Sequence, residues 1–121
     1  MALPDIHARL ALSFILFMAI ATVWNLAAAA RRRGVNGTAF GILAVGELLA
    51  LAQGLLGVVL YLGGERPARP LHLIYGATAV LTLPAYYAIS KGRDDRRASL
   101  VYGLLCLFLA GIGYRAIVTG A

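Results

Sequence analysis

TAFGILAVGELLALAQGLLGVVLYL, residues 38–62, carries a single charge in twenty-five residues. At about 1.5 Å per residue a helix of this length measures roughly 37 Å, more than the roughly 30 Å of bilayer hydrocarbon. Polar punctuation closes it on both sides, RRRGVNG (31–37) before and GGERPARP (63–70) after. Three further apolar runs, 8–30, 71–90 and 98–118, repeat the pattern, with KGRDDRR (91–97) between the last two. Inside lipid every backbone amide needs a partner within the protein, so apolar runs of this length are helices. Short connections make sequential helices antiparallel. The expectation is an all-α, integral membrane, up-down-up-down four-helix bundle, with residues 1–121 forming a single transmembrane domain.

Composition points the same way. Of 121 residues 61% are hydrophobic and 13% charged, against about 25% charged in soluble domains, and the mean hydropathy is +0.83. A soluble domain this small cannot bury that much apolar surface. The net charge of +6 therefore reads as loop charge in a membrane protein, not as a nucleic-acid footprint. The single cysteine, Cys106, excludes a disulfide within the chain. MALPDIHARL lacks the basic region and cleavage site of a signal peptide, so the first apolar run is expected to be a retained helix.

The loops predict an orientation. Arg31, Arg32, Arg33, Lys91, Arg93, Arg96 and Arg97 are seven of the eleven basic residues and share one side. The positive-inside rule makes that side cytoplasmic and places both termini and GGERPARP outside, in a cell inner membrane. Tyr61, Tyr75 and Tyr114 then fall in an outer aromatic belt; Trp24, Tyr86, Tyr87 and Tyr102 fall in an inner one. Pro4-Asp5 and Pro70 suit first helical turns. Pro84 is expected to kink the third helix and free the carbonyl of Val80. Gly46, Ala50 and Gly54, with Gly57 beside them, form a small-residue stripe that admits a close neighbour, a helix or a flat cofactor.

With this topology the only two histidines become informative. His7 and His72 each lie in the first turn of a helix that begins outside, on the diagonal helices 1 and 3. Two imidazoles reaching inward at one depth leave room for one metal. Zinc calls for four ligands, and no cysteine or carboxylate pair accompanies them. A haem iron brings four nitrogens of its own and needs two axial ligands, enough for one haem b. Arg9, Arg66, Arg69 and Arg115 lie at the same outer side, where guanidinium forks can meet propionates. Gly54, Gly57 and Gly76 leave flat space, and Gln53 and Tyr75 can bond a propionate or the second nitrogen of an axial histidine. Glu47, near mid-membrane, is costly there and is a separate functional candidate, with Asn25 and Gln53 as polar companions.

IHARLALSFILFMAI on helix 1, LAQGLLGVVLYLGG on helix 2 and LHLIYGATAVL on helix 3 together resemble one half of a heme A synthase. That family joins two four-helix bundles, each with a pair of haem-ligating histidines. The likeness covers residues 6–80, and the fourth helix matches only as an apolar span. It implies axial ligation by His7 and His72, with Gln53 and Gly57 beside the cofactor. The acidic residue that precedes the first histidine in the family is represented at best by Asp5, and one bundle carries one site. Haem binding is thus implied, and the synthase reaction is not. Cytochrome b561-like proteins share the bundle logic but need four histidines for two haems.

The expected function is single-electron transfer with a quinone or a membrane redox partner, as an electron carrier or subunit rather than a stand-alone enzyme. Two alternatives compete: a non-catalytic accessory subunit of a respiratory or photosynthetic complex, and a dimeric small ion or drug transporter coupled through Glu47. The bilayer is the certain partner; homo-oligomerisation stays open.

Overall fold

Small polar residues and prolines decide where each helix begins. In the computed structural model, which describes residues 2–120, these are α1 (Leu3–Ala30), α2 (Gly37–Leu62), α3 (Leu71–Ile89) and α4 (Arg96–Gly120). Pro4 occupies the first turn of α1, and the Asp5 carboxylate accepts the Ala2 N–H at 3.2 Å. Asn36 caps α2 by accepting the Ala39 N–H at 2.8 Å. Asp95 does the same for α4 with Ala98 at 3.0 Å. These caps satisfy amides that a helix start would leave bare.

Three helices end in one way. Arg32, Gly64 and Lys91 adopt positive φ of 58°, 96° and 55°. The amide after each reaches back across the last turn: Arg33 to Ala28 O at 2.8 Å, Glu65 to Leu60 O at 2.9 Å, Gly92 to Tyr87 O at 2.9 Å. This six-to-one bond closes the exposed carbonyls. At Arg32 and Lys91 it is made without glycine, at a cost of about 1–2 kcal/mol each.

The helices pack in a ring, α1 on α2, α2 on α3, α3 on α4 and α4 on α1; among the described residues the backbones of neither diagonal pair approach closely. Buried positions recur in steps of four and three: Phe14, Met18, Ala21 and Asn25 on α1; Ala39, Leu43, Gly46 and Ala50 on α2; Tyr102, Cys106, Leu109 and Gly113 on α4. That spacing is the seam of helices crossing at a shallow angle. The outward faces are equally apolar. Leu12, Leu16, Ile20, Val23, Leu48, Leu55 and Val58 are each more than half exposed, an arrangement that suits lipid and not water.

Length and apolarity qualify α1, α2 and α4 as membrane spans. The fourth expected span is a shorter helix of 19 residues that includes His72, Tyr75, Pro84, Tyr86 and Tyr87 and fully buries only Leu83. α3 runs helical through Pro84. A second departure concerns Tyr102, expected in an aromatic belt. It is 2% exposed and stands edge-on to Phe40 at 6.0 Å and Tyr86 at 4.9 Å. The reason is register: Tyr102 lies on the α4 seam, four residues before Cys106 at the same face.

At the basic-loop end the two arginine-rich loops are tied together. Val35 N–H donates to Asp94 O at 2.8 Å, Arg96 Nε to Ala29 O at 2.7 Å, and Ser99 Oγ to Arg33 O at 2.9 Å. Gly34 lies directly against Asp94, so that a Cβ there would overlap the Asp94 carbonyl oxygen. Gly41 faces open space. Gly34→Ala should therefore destabilise the protein by about 1–3 kcal/mol through overpacking, whereas Gly41→Ala should be neutral or slightly stabilising as a helix-propensity gain. Thermal unfolding of both variants in one detergent, followed by circular dichroism, checks this.

Candidate functional site

The ring order places α1 and α3 on opposite sides of the bundle, and their first turns lie at the same end. His7 occupies the core-facing seam of α1, seven residues before Phe14. His72 stands eleven residues before the buried Leu83 on α3. The structure brings the two rings together across the bundle, with centroids 6.2 Å apart and planes crossing at 70°. Both are half-buried.

Each ring is held by a different neighbour. The Nδ1 of His72 meets the carbonyl oxygen of Ala116 on α4 at 2.7 Å. A carbonyl only accepts, so Nδ1 carries a proton. The backbone adds a second tie at the same corner, from Arg69 N–H to Thr119 O at 2.9 Å. Gly120 makes the ring's position possible, because a Cβ there would come within 2.7 Å of His72 Cε1. Opposite, Gly57 on α2 backs His7, and its Cβ would lie 3.5 Å from His7 Cε1. The Nδ1 of His7 is buried and has no protein hydrogen-bond partner. A buried ring nitrogen left so is costly unless something binds it.

The remaining expected residues divide. Gln53 lies one turn from Gly57 on the same stripe, and its Oε1 is buried without a partner. Gly76, one turn along α3 from His72, faces open space, whereas a Cβ at Gly54 would meet Val80 at 3.3 Å. Tyr75 and Arg115 line a shared apolar groove of about 500 Å³ between α3 and α4 with Leu104 and Phe108. Arg66 folds back onto its own loop, with its guanidinium 3.8 Å from the centre of the Tyr61 ring and bonded to the Tyr61 carbonyl. Arg9 and Arg69 are exposed at the same end. The second nitrogen of His72, for which Gln53 and Tyr75 were the expected partners, goes to the Ala116 carbonyl instead. A backbone carbonyl has no signature in a sequence; Gly120 was the only available hint.

Glu47 belongs to no such constellation. Both carboxylate oxygens are buried and unpartnered, as are Asn25 Oδ1 and Tyr102 Oη. The Asn25 amide donates to Ala21 O at 2.9 Å on its own helix and not to Glu47. Among the described residues no three of His, Cys, Asp and Glu cluster as metal ligands, so a metal at the histidine pair has two protein donors.

No family model matches the chain, and neither a curated protein nor a solved structure matches it.

The tautomer of His72 is directly testable. Ring nitrogen NMR of the ligand-free protein, with histidine labelled, should show one ring protonated at Nδ1 and hydrogen-bonded. Gly120→Ala should remove that signature by displacing the ring, while Gly111→Ala, which faces open space, should leave it.

Proposed function

We propose that the chain is a membrane haem protein, holding one haem b between His7 and His72 and passing single electrons. The separation of the two rings carries the reading. Metal–imidazole bonds of about 2.0–2.1 Å put two nitrogens on opposite sides of one metal about 4 Å apart, and their ring centroids about 6 Å apart. The observed separation is 6.2 Å.

The surroundings fit the same group. A ligating histidine usually donates its other ring N–H to a carbonyl or carboxylate, which fixes the tautomer and strengthens the ligand; His72 has this bond to Ala116. His7 lacks the equivalent bond, since its Nδ1 has no protein partner, so the two rings are held unequally. Two donors are too few for a structural zinc and sufficient for an iron that brings its own equatorial nitrogens. Gly57 keeps bulk away from His7, and Arg9 and Arg69 are cations at the same end for propionates, whereas Arg115 faces the groove between α3 and α4. Arg66, engaged with Tyr61, is the weakest of that set.

A bound haem b supplies one-electron redox chemistry. The chain would supply the rest: His7 and His72 would hold the iron, and the Ala116 carbonyl orients the His72 ring. Held by two histidines, the group would favour electron transfer over substrate or oxygen chemistry. By the loop charges the histidine end faces outward from a cytoplasmic membrane with both termini on that side, and exchange with a quinone or a membrane redox partner follows from the location. The resemblance of residues 6–80 to half of a heme A synthase supports the same cofactor.

Protein purified from haem-replete cells should give a b-type reduced-minus-oxidised spectrum and one haem per chain by pyridine haemochrome. His7→Ala and His72→Ala should each lose it while retaining helical circular dichroism. A colourless wild type would overturn the reading.

A further inference from the structure

Glu47 is the only charged residue of α2, and nothing in the proposed axial site uses it. Gly46, its neighbour, packs on Met18 and Phe17 of α1, and Gly57 packs on His7. Ten residues of helix therefore separate Glu47 from the level of the histidines, about 15 Å. Asn25 lies seven residues beyond Met18, about 10 Å further toward the basic-loop end. Leu26, next to it, packs on Gly103, which sets Tyr102 at the same level. Asn25 and Tyr102 are 0% and 2% exposed, and each has an unpartnered oxygen. Unpartnered oxygens thus recur along the bundle interior from the basic-loop end, through Glu47 and Gln53, toward His7.

A buried carboxyl with no cation near it favours its neutral, protonated form. Among the described residues the only ion pair is Arg93–Asp95, at the loop surface. A positive charge placed at the histidine pair changes that balance, because a unit charge is felt over such distances in a medium of low dielectric. Ferric iron in a dianionic macrocycle with two neutral imidazoles has a net charge of +1; the ferrous form has none.

We propose that Glu47 is a redox-linked proton site, taking up a proton from the basic-loop side when the centre is reduced and releasing it on oxidation. This rests on the haem reading. The step balances: one electron from the quinol or membrane redox partner enters the iron, one proton from solvent joins the Glu47 carboxylate, and Asn25 and Tyr102 lie between that solvent and the acid. Groups on the helices packed against α2 do not compete. The stretch of α1 from Ala11 to Leu26 has no titratable side chain. Asp5 and Arg9 lie at the exposed end of α1. On α3 the titratable side chains are the phenols of Tyr75, Tyr86 and Tyr87 and the proposed ligand His72, and His7 on α1 is the other proposed ligand.

The test is a spectroelectrochemical titration of the haem-loaded protein from mildly acidic to mildly alkaline pH, with Glu47→Gln beside it. In the wild type the midpoint should fall as pH rises, with a fractional slope below the about 59 mV per pH unit of one proton per electron. Glu47→Gln should keep the spectrum and flatten the slope. Redox-difference infrared spectra should show a carboxylic-acid C=O band appearing on reduction in the wild type and missing in the variant. A pH-independent wild-type midpoint overturns the proposal and leaves haem binding intact. So does an equal slope in Glu47→Gln, which would assign the proton to a propionate. A wild type without haem overturns the proposed function, and this coupling with it.

Discussion

The close approach of α1 to α4 is the contact on which the rest of the bundle depends. It is the most extensive of the four seams, and glycine makes it possible. A Cβ at Gly103 would fall 2.5 Å from a Leu26 methyl, and one at Gly113 would fall 2.7 Å from Ile15. In lipid there is no hydrophobic drive to push helices together, so van der Waals fit of this kind supplies the cohesion. Joining the first helix to the last closes the ring. It also fixes the height of α4 relative to α1, and α4 in turn holds His72 through the Ala116 carbonyl.

The histidine pair is thus a product of packing as much as of ligand chemistry. His7 arrives with the α1 seam, and His72 arrives because α4 presents a carbonyl acceptor and the bare backbone of Gly120. At the opposite end the loop clamp of Val35, Asp94, Arg96 and Ser99 holds the two basic connections side by side. One end of the molecule is fastened by backbone and side-chain hydrogen bonds. The other brings two imidazoles together, with ring centroids 6.2 Å apart. The loosest seam, α2 on α3, borders the histidine end and leaves Gly76 in open space.

Much of this was legible in the residues. The apolar runs and their polar breaks mark the four helices to within a few positions, because in a membrane length and hydropathy are nearly the whole constraint. The third helix ends within one residue of its expected run, although His72, Pro84 and three tyrosines lower its hydropathy. The nearness of His7 and His72 followed from antiparallel order alone. Their distance and angle did not, since these depend on Gly57, Gly120 and a backbone carbonyl. Tyr102 was misplaced because aromatic residues near a helix end suit a belt and a core equally; only the seam register of α4 decides between them. The arginines read alike in sequence, yet Arg66 is committed to Tyr61 and Arg115 faces a lipid-side groove.

The central claim is that both histidines coordinate one iron. Electron paramagnetic resonance of the oxidised protein tests it most directly, because two imidazoles and their relative orientation shape the ferric spectrum. With rings crossed near 70°, the account predicts a low-spin signal of strong anisotropy. A high-spin signal, which requires an axial position without histidine, or a protein with no ferric haem at all, would contradict it.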